Sequence, residues 1–330
     1  MKTEISTDRT AAVELLRQGE IVALPTETVY GLAGDALNPV AVAKIFEAKG
    51  RPRFDPLIVH LPEEDWLEKI ADLPALAAAS PSRGGQDRQL VLQLAKKFWP
   101  GPLTLVLPKR QIVPEIATAG LETVAVRISA HPIFTEVVQA FGKPLAAPSA
   151  NRFGRISPTI AKHVLDELDG HIPLIIDAGP TMHGIESTIV AVHDGKIDIL
   201  RRGPITSEEL SAYGEVDIAT GREKISAPGQ LPSHYAPKTP LRIIDDLESF
   251  APQAKQRCAL LAWNSIENDK RFVAIRNLSE RQDVREAAAN LFRYLRELDE
   301  LNVDLIVAER VPLAGLGAAI LDRLQRASHV

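Results

Sequence analysis

The spacing of hydrophobic positions changes several times along the chain, and each change marks an element. Ala12, Val13, Leu15 and Leu16 fall on one side of a helix that Thr7 or Asp8 can cap and Gly19 stops. The short apolar run Ile21-Val22-Ala23-Leu24 suits a buried strand, which Pro25 ends by removing a ladder donor. Helical spacing returns behind Pro39 at Val40, Val42, Ala43, Ile45 and Phe46, and Gly50 closes it. The chain then leaves through Pro52 and Pro56 into the strand-like Leu57-Ile58-Val59. Further helices are predicted over 62–71, 87–98, 131–141, 160–168 and 207–212.

Strand patterns occupy 103–107, 123–127, 145–147 and 173–177. In 123–127 the period of two puts Thr123, Ala125 and Arg127 on one face, with the outer pair ~13 Å apart at about 3.3 Å per residue. Residues 187–192 and 197–201 pair across the tight turn His193-Asp194-Gly195, which brings Ser187 and Arg201 to one end. Residues 80–86 are polar and rich in breakers, so an exposed loop without assigned chemistry is expected there.

Periodicity fades over 214–240, a stretch punctuated by glycines and prolines. Beyond it, strands at 241–244, 259–261, 272–275 and 303–307 alternate with helices at 284–298 and 316–327. That alternation predicts a smaller α/β domain with parallel strands. The expected organisation is thus a domain over 1–213, a linker over 214–240 and a second domain over 241–330. Gly315-Leu316-Gly317 lacks the strand-to-helix context of a dinucleotide fingerprint, so no nicotinamide site is assigned there.

Composition narrows the reading. A chain of 330 residues, 45% hydrophobic, has the length of roughly two domains. Its net charge of -5 lacks the basic balance of a non-specific nucleic-acid binder, so any phosphate-holding cations must be gathered locally. Cys258 is the only cysteine, which excludes an intramolecular disulfide or a multi-cysteine metal site. The first 20 residues have no signal-peptide core, and no stretch of about 18 uninterrupted apolar residues follows; a cytoplasmic, membrane-free protein is expected.

Candidate chemistry gathers at strand ends, where open α/β sheets hold ligands. Pro25-Thr26-Glu27-Thr28-Val29-Tyr30-Gly31-Leu32 places two hydroxyls, a carboxylate and a phenol after the first buried strand. Lys49-Gly50-Arg51 puts two cations at a helix end, and Asp55-Pro56-Leu57-Ile58-Val59-His60 follows. Pro148-Ser149-Ala150-Asn151 adds a hydroxyl and an amide. Taken singly, each has a structural explanation in turns, caps or the helix macrodipole.

Taken in order, and with WPGPLT at 99–104, TVAVR at 123–127, GIESTIV at 184–190 and HYAPKTP at 234–240, they closely resemble the long, two-domain L-threonylcarbamoyladenylate synthases. The resemblance runs from Ala11 to Ser328. It implies a YrdC-like twisted mixed sheet with flanking helices, joined by a linker to a smaller Rossmann-like α/β domain. It also implies the conversion of L-threonine, bicarbonate and ATP into threonylcarbamoyl-adenylate, pyrophosphate and water. The product supplies a tRNA threonylcarbamoyl transferase machinery that modifies the adenosine beside certain anticodons.

Carried over by position, the resemblance assigns Thr28, His60, Arg127, Ala147 and Ser187 to L-threonine. It assigns Lys49, Arg51, Asp55, Thr123, Ser149, Asn151, Ser157, Arg201, His234 and Tyr235 to ATP, with Lys49 and Arg51 as the catalytic cations. Mg2+ is expected to arrive with ATP, without an assigned protein ligand. No stable nucleic-acid complex is expected.

Three positions depart from the family pattern. Asp55 replaces an asparagine, Arg202 a proline, and Ala318 with Leu321 stand where polar residues are usual. The 80–86 stretch is also longer than usual. For 234–240 two roles fit, a segment folded back over the nucleotide or an exposed spacer. Competing functions are RNA binding on a cationic concave surface and another carbamoyl transfer, as in hydrogenase-maturation carbamoyltransferases; the latter's acylphosphatase-like and zinc-finger segments are missing.

Overall fold

The computed structural model describes residues 2–79, 84–218, 235–263 and 268–328. Within them, one mixed sheet runs through Glu4–Ser6, Leu174–Ile176, Val22–Leu24, Gly31–Asp35, Leu145–Ala146, Ile58–His60, Thr123–Arg127, Leu103–Pro108, Thr188–His193, Lys196–Arg201 and Glu215–Ile218, in that spatial order. Its central strands are buried on both faces, which explains their near-continuous apolar sequences. Residues that are far apart in the chain lie side by side: Glu4 pairs with Leu174, and Gly34 with Ala146.

Pairing direction decides where the site lies. Ile58–His60 runs parallel to Thr123–Arg127, so His60 stands opposite Arg127. Leu103–Pro108 runs antiparallel to Thr123–Arg127 and parallel to Thr188–His193, so Leu103 pairs with Thr188 at the same end. Antiparallel Lys196–Arg201 returns Arg201 there too. The ends of five strands therefore open onto one rim.

Helices fix the approaches to that rim. Asp8, rather than Thr7, caps Arg9–Arg17 by accepting from the backbone of Thr10 and Ala11. Asn38 caps Pro39–Lys49, and Gly50 ends that helix at φ +60°. The left-handed turn lets Arg51 leave in a new direction while Lys49 stays on the last helical turn.

Four expectations need correction. Residues 84–86 begin the helix Gly84–Phe98 instead of a loop, and residues 80–83 lie outside the described set. Asp87 accepts from the backbone of Asp194 at 3.1 Å and of Gly195 at 2.6 Å, an anchor that offsets the poor helix propensity of two glycines. The 62–71 helix is two short pieces, Glu64–Trp66 and Leu67–Ile70. Within 214–240, Glu215–Ile218 joins the sheet, and Gly31–Asp35 and Glu4–Ser6 are strands that the periodicity does not mark.

The second sheet is fully parallel, in the order Leu241–Ile244, Leu305–Glu309, Cys258–Ala262, Phe272–Asn277. Helices Val284–Asp299 and Leu316–Ser328 cover it, packing Leu291, Phe292, Leu295, Ile320 and Leu324 against Leu261 and Ile306. Val29, Ile156 and Ile185 from the first sheet's loops share this core. Arg296 also ties the two parts, donating to Glu167 Oε1 at 2.5 Å and to the Ile156 carbonyl.

Candidate active site at the strand ends

The rim encloses a cavity of about 540 Å³, counted out to its open mouth. Its lining includes Thr28, Arg51, His60, Arg127, Ala147, Ser149, Ser187, Arg201 and Tyr235, nine of the residues singled out in the sequence. Arg51, Arg127 and Arg201 are each at least nine-tenths buried, so three guanidinium groups face one space with little water to screen them.

The first corner is built by Thr26. Its hydroxyl donates to the Val29 carbonyl at 2.6 Å and accepts from the amides of Thr28 and Val29, while lying 2.8 Å from Thr28 Oγ1. Thr28 is thereby turned toward Arg127, whose Nη2 donates to it at 3.4 Å. Arg127 Nη2 also donates to Glu27 Oε1 at 3.0 Å, and Ser129 Oγ donates to the other carboxylate oxygen at 2.5 Å. Arg127 Nε is buried and has no hydrogen-bond partner among the described residues. A donor is thus held in place and left open.

His60 lies beside Arg127, its ring 4.7 Å from Phe134. Burial, reinforced by the charge of Arg127, holds its pKa well below the usual imidazole range against a hydrogen bond with the Ala147 backbone. Neutral His60 can orient a ligand but is a poor proton donor. Ala147 spends its amide on the Ile58 carbonyl, so what it offers the cavity is space.

Across the cavity, Arg51 donates through Nε to the Asp55 carbonyl at 3.1 Å and through Nη2 to the Pro56 carbonyl at 2.8 Å. Asp55 Oδ2 lies 2.9 Å from the same Nη2, without the alignment of a hydrogen bond. Burial raises the Asp55 pKa, with Arg51, Lys49 and Arg201 opposing it. The charge of this family departure is therefore matched locally.

Lys49 stands behind the lining. Its Nζ donates to the carbonyls of Ser149 at 2.6 Å and Asn151 at 2.5 Å, which ties the 149–151 turn to the helix end. Burial, with Arg51 as the next cause, brings its pKa down to about 7. The Asn151 amide donates to the Arg152 and Arg155 carbonyls and so braces the same turn.

Arg201 donates through Nη2 to Ser187 Oγ at 2.9 Å, and Thr104 Oγ1 lies 2.8 Å from that hydroxyl. Ser157 is fully buried and donates to Glu186, the one carboxylate in the cavity lining among the described residues, which sequence reasoning passed over inside GIESTIV. Tyr235 closes one wall with φ +66°, its ring stacked 5.4 Å from Phe292. His234 lies outside the described residues.

Lys49, Asp55, Asn151, Ser157 and Thr123 are all absent from the cavity lining. Thr123 stands at the opposite end of its strand, half-buried, on the face that Arg127 shares. Ala125 lies between them, and Ile58, Val106, Ile189 and Leu200 join it in a small apolar cluster. A ligand reaching Thr123 would have to lie along that floor. Ser129, Thr104 and Glu186 are the site residues missed in sequence, and the Glu27 carboxylate, noted there, was given no role; the charge inside GIESTIV was the available signal for Glu186.

A mixed sheet whose strand ends hold three buried arginines among hydroxyls, joined to a second parallel sheet, defines a two-domain α/β protein with an arginine-lined cavity. A family profile described as telomere recombination matches residues 14–203, and one for the C-terminal domain of threonylcarbamoyl-AMP synthase matches residues 205–329. A threonylcarbamoyl-AMP synthase from Pyrococcus abyssi is 40% identical, covering 96% of this chain and 93% of its own. One from Bacillus subtilis is 41% identical over 96% and 92%. The crystal structure of P. abyssi Sua5 complexed with L-threonine superposes with a TM-score of 0.85 at 38% identity, covering 97% of this chain and 94% of that one. The chain belongs to the threonylcarbamoyl-AMP synthase family.

Proposed function

We propose that this protein is a nucleotidyltransferase that makes threonylcarbamoyl-AMP and pyrophosphate from L-threonine, bicarbonate and ATP. The observation that carries the reading is the convergence of Arg51, Arg127 and Arg201 on one hydroxyl-lined cavity. Relatives named for this activity match along nearly the whole chain and support it. The first sheet and its loops, through Glu215–Ile218, carry the chemistry together with Tyr235 in this reading, and the domain from Leu241 on covers the site.

Threonine sits at the Arg127 end. Its carboxylate takes the open Nε in a charge-assisted bond, with Thr28, neutral His60 and Ser187 orienting the rest beside the space at Ala147. ATP spans Arg51, Ser149 and Arg201 toward Ser157 and Tyr235, and its far part follows the apolar floor to Thr123. Lys49 and Asn151 shape the turn that presents Ser149. The threonine amine adds to the carbon of bicarbonate with loss of water. The resulting carbamate oxygen attacks the α-phosphorus, the bond to the bridging oxygen breaks, and pyrophosphate leaves with its charge stabilised by the arginines.

Mg2+ is part of this proposal as the companion of ATP. Among the described residues no group of three metal-binding side chains occurs, and Asp55 is fully buried against Arg51 outside the cavity lining, so the ion would be held through the phosphates and water. No described helix is long and apolar enough to cross a membrane. A tRNA-modifying enzyme is the proposed consumer of the adenylate, and the cytoplasm the proposed place of work.

The test is pyrophosphate release by purified protein. It should require L-threonine and bicarbonate together, with L-serine poorer by a factor on the order of 10–200 for the missing methyl. Release at the same rate without threonine would reject the reading.

A further inference from the structure

We propose that Arg323, on the C-terminal helix Leu316–Ser328, is a positioning residue of the nucleotide cavity that neutralises and holds Glu186 so that phosphate can bind beside it. The inference rests on the nucleotide reading above and adds the second domain to the site.

Glu186 is the anomaly that motivates it. The carboxylate is 6% exposed and lines a cavity otherwise built for anions. Both its oxygens are engaged: Oε1 accepts from Ser157, and Oε2 accepts from Arg323 Nε at 2.9 Å. Burial alone would raise its pKa, but Arg323, Arg201 and the Ser157 hydrogen bond hold it below the ordinary range. Glu186 is therefore charged, and it tolerates a neighbouring phosphate only while its charge is matched.

Arg323 is equipped to do that from a fixed position. It is 0% exposed, donates through Nη2 to the Arg202 carbonyl at 2.8 Å, and pairs through Nη1 with Asp322 at 2.7 Å. Arg326 also binds Asp322, which shares out that second negative charge. The Arg323 guanidinium lies 5.1 Å from the Tyr235 ring, itself stacked on Phe292. Phe292, Tyr235, Arg323, Glu186 and Ser157 thus form one buried column from the second domain to the proposed phosphate contact. Held this way, Glu186 accepts from the Ser157 hydroxyl, is matched by the Arg323 charge, and leaves Arg201 for the ligand.

Titration calorimetry with ATP on the full chain tests this, using wild type, Arg323→Met, Glu186→Gln and the double variant. Arg323→Met should lose about tenfold or more in ATP affinity, while Glu186→Gln binds at least as tightly as wild type. The double variant should return to within about threefold of Glu186→Gln, since no unmatched charge remains. Wild-type affinity in Arg323→Met, or a double variant as weak as the single one, would overturn the proposal. A wild type that binds no ATP removes the nucleotide reading instead. If Arg323→Met fails to fold, Glu186→Gln decides: a loss of about tenfold overturns the proposal, and affinity at or above wild type sustains it.

Discussion

Lys49 illustrates how far one side chain can depart from what its neighbours in sequence suggest. Beside Arg51 it reads as a phosphate hook, yet its ammonium is spent on two carbonyls at 2.5–2.6 Å and its pKa is brought down to about 7. At pH 8 the free protein therefore holds Lys49 largely neutral, and an arriving polyphosphate favours the charged form. ATP binding at pH 8 should take up a proton, read as a dependence of binding enthalpy on buffer ionisation enthalpy. Lys49→Met should abolish that dependence; its persistence would assign the proton elsewhere. Residue identity was legible at Thr28, Arg51, Arg127 and Ser149 because their motifs are local. Glu186 and Arg323 were not, since their meaning arises only from a contact 137 positions apart.

Among elements, the loop before Ser187 shows how closely the two domains approach. Gly184 has φ +68°, and a Cβ there would stand 2.5 Å from the Ala288 carbonyl oxygen and from Ala289 Cα, both on helix Val284–Asp299. No side chain fits between these backbones. Gly184→Ala should destabilise the protein by at least about 1–2 kcal/mol from conformation alone, with the clash added, measured by denaturant unfolding. It should also weaken ATP binding, because the displaced helix carries Phe292 of the buried column. By contrast Gly50 meets nothing within 4 Å at φ +60°, so Gly50→Ala should cost only the conformational part, about 1–2 kcal/mol. Long amphipathic helices and the 187–201 hairpin could be read from periodicity. Gly31–Asp35 could not: its sequence GLAGD shows no alternation, and the strand exists because its neighbours on both sides complete its ladder.

At the scale of the molecule, burial of neutral histidines sets an acid limit. His163 is 6% exposed, and burial with nearby arginines brings its pKa to about 3, while that of His60 is also depressed. The unfolded chain therefore binds protons that the native state refuses, so stability is present above pH 6.5 and is lost as pH falls below it. Between pH 7 and 5, His163 alone should account for roughly 2 kcal/mol. Urea unfolding of His163→Gln at the two pH values should show a loss smaller by that amount; an unchanged loss would contradict the assignment. Fold class was legible because strand and helix signals alternate in blocks. The edge strands Glu4–Ser6 and Glu215–Ile218 were hidden because three or four residues carry too short a pattern.

Those edges bound opposite sides of one sheet, and its pairs join distant parts of the chain: Glu4 waits for Leu174, and Arg201 is the last of the cavity's three arginines to arrive. A nascent chain leaving the ribosome can collapse and form helices early, but the pocket lacks its third arginine until Arg201 emerges and its closing wall until Tyr235 follows. Synthesis order thus guards the cell against a half-made catalyst, since no amino-terminal fragment short of Arg201 contains a complete set of guanidinium groups.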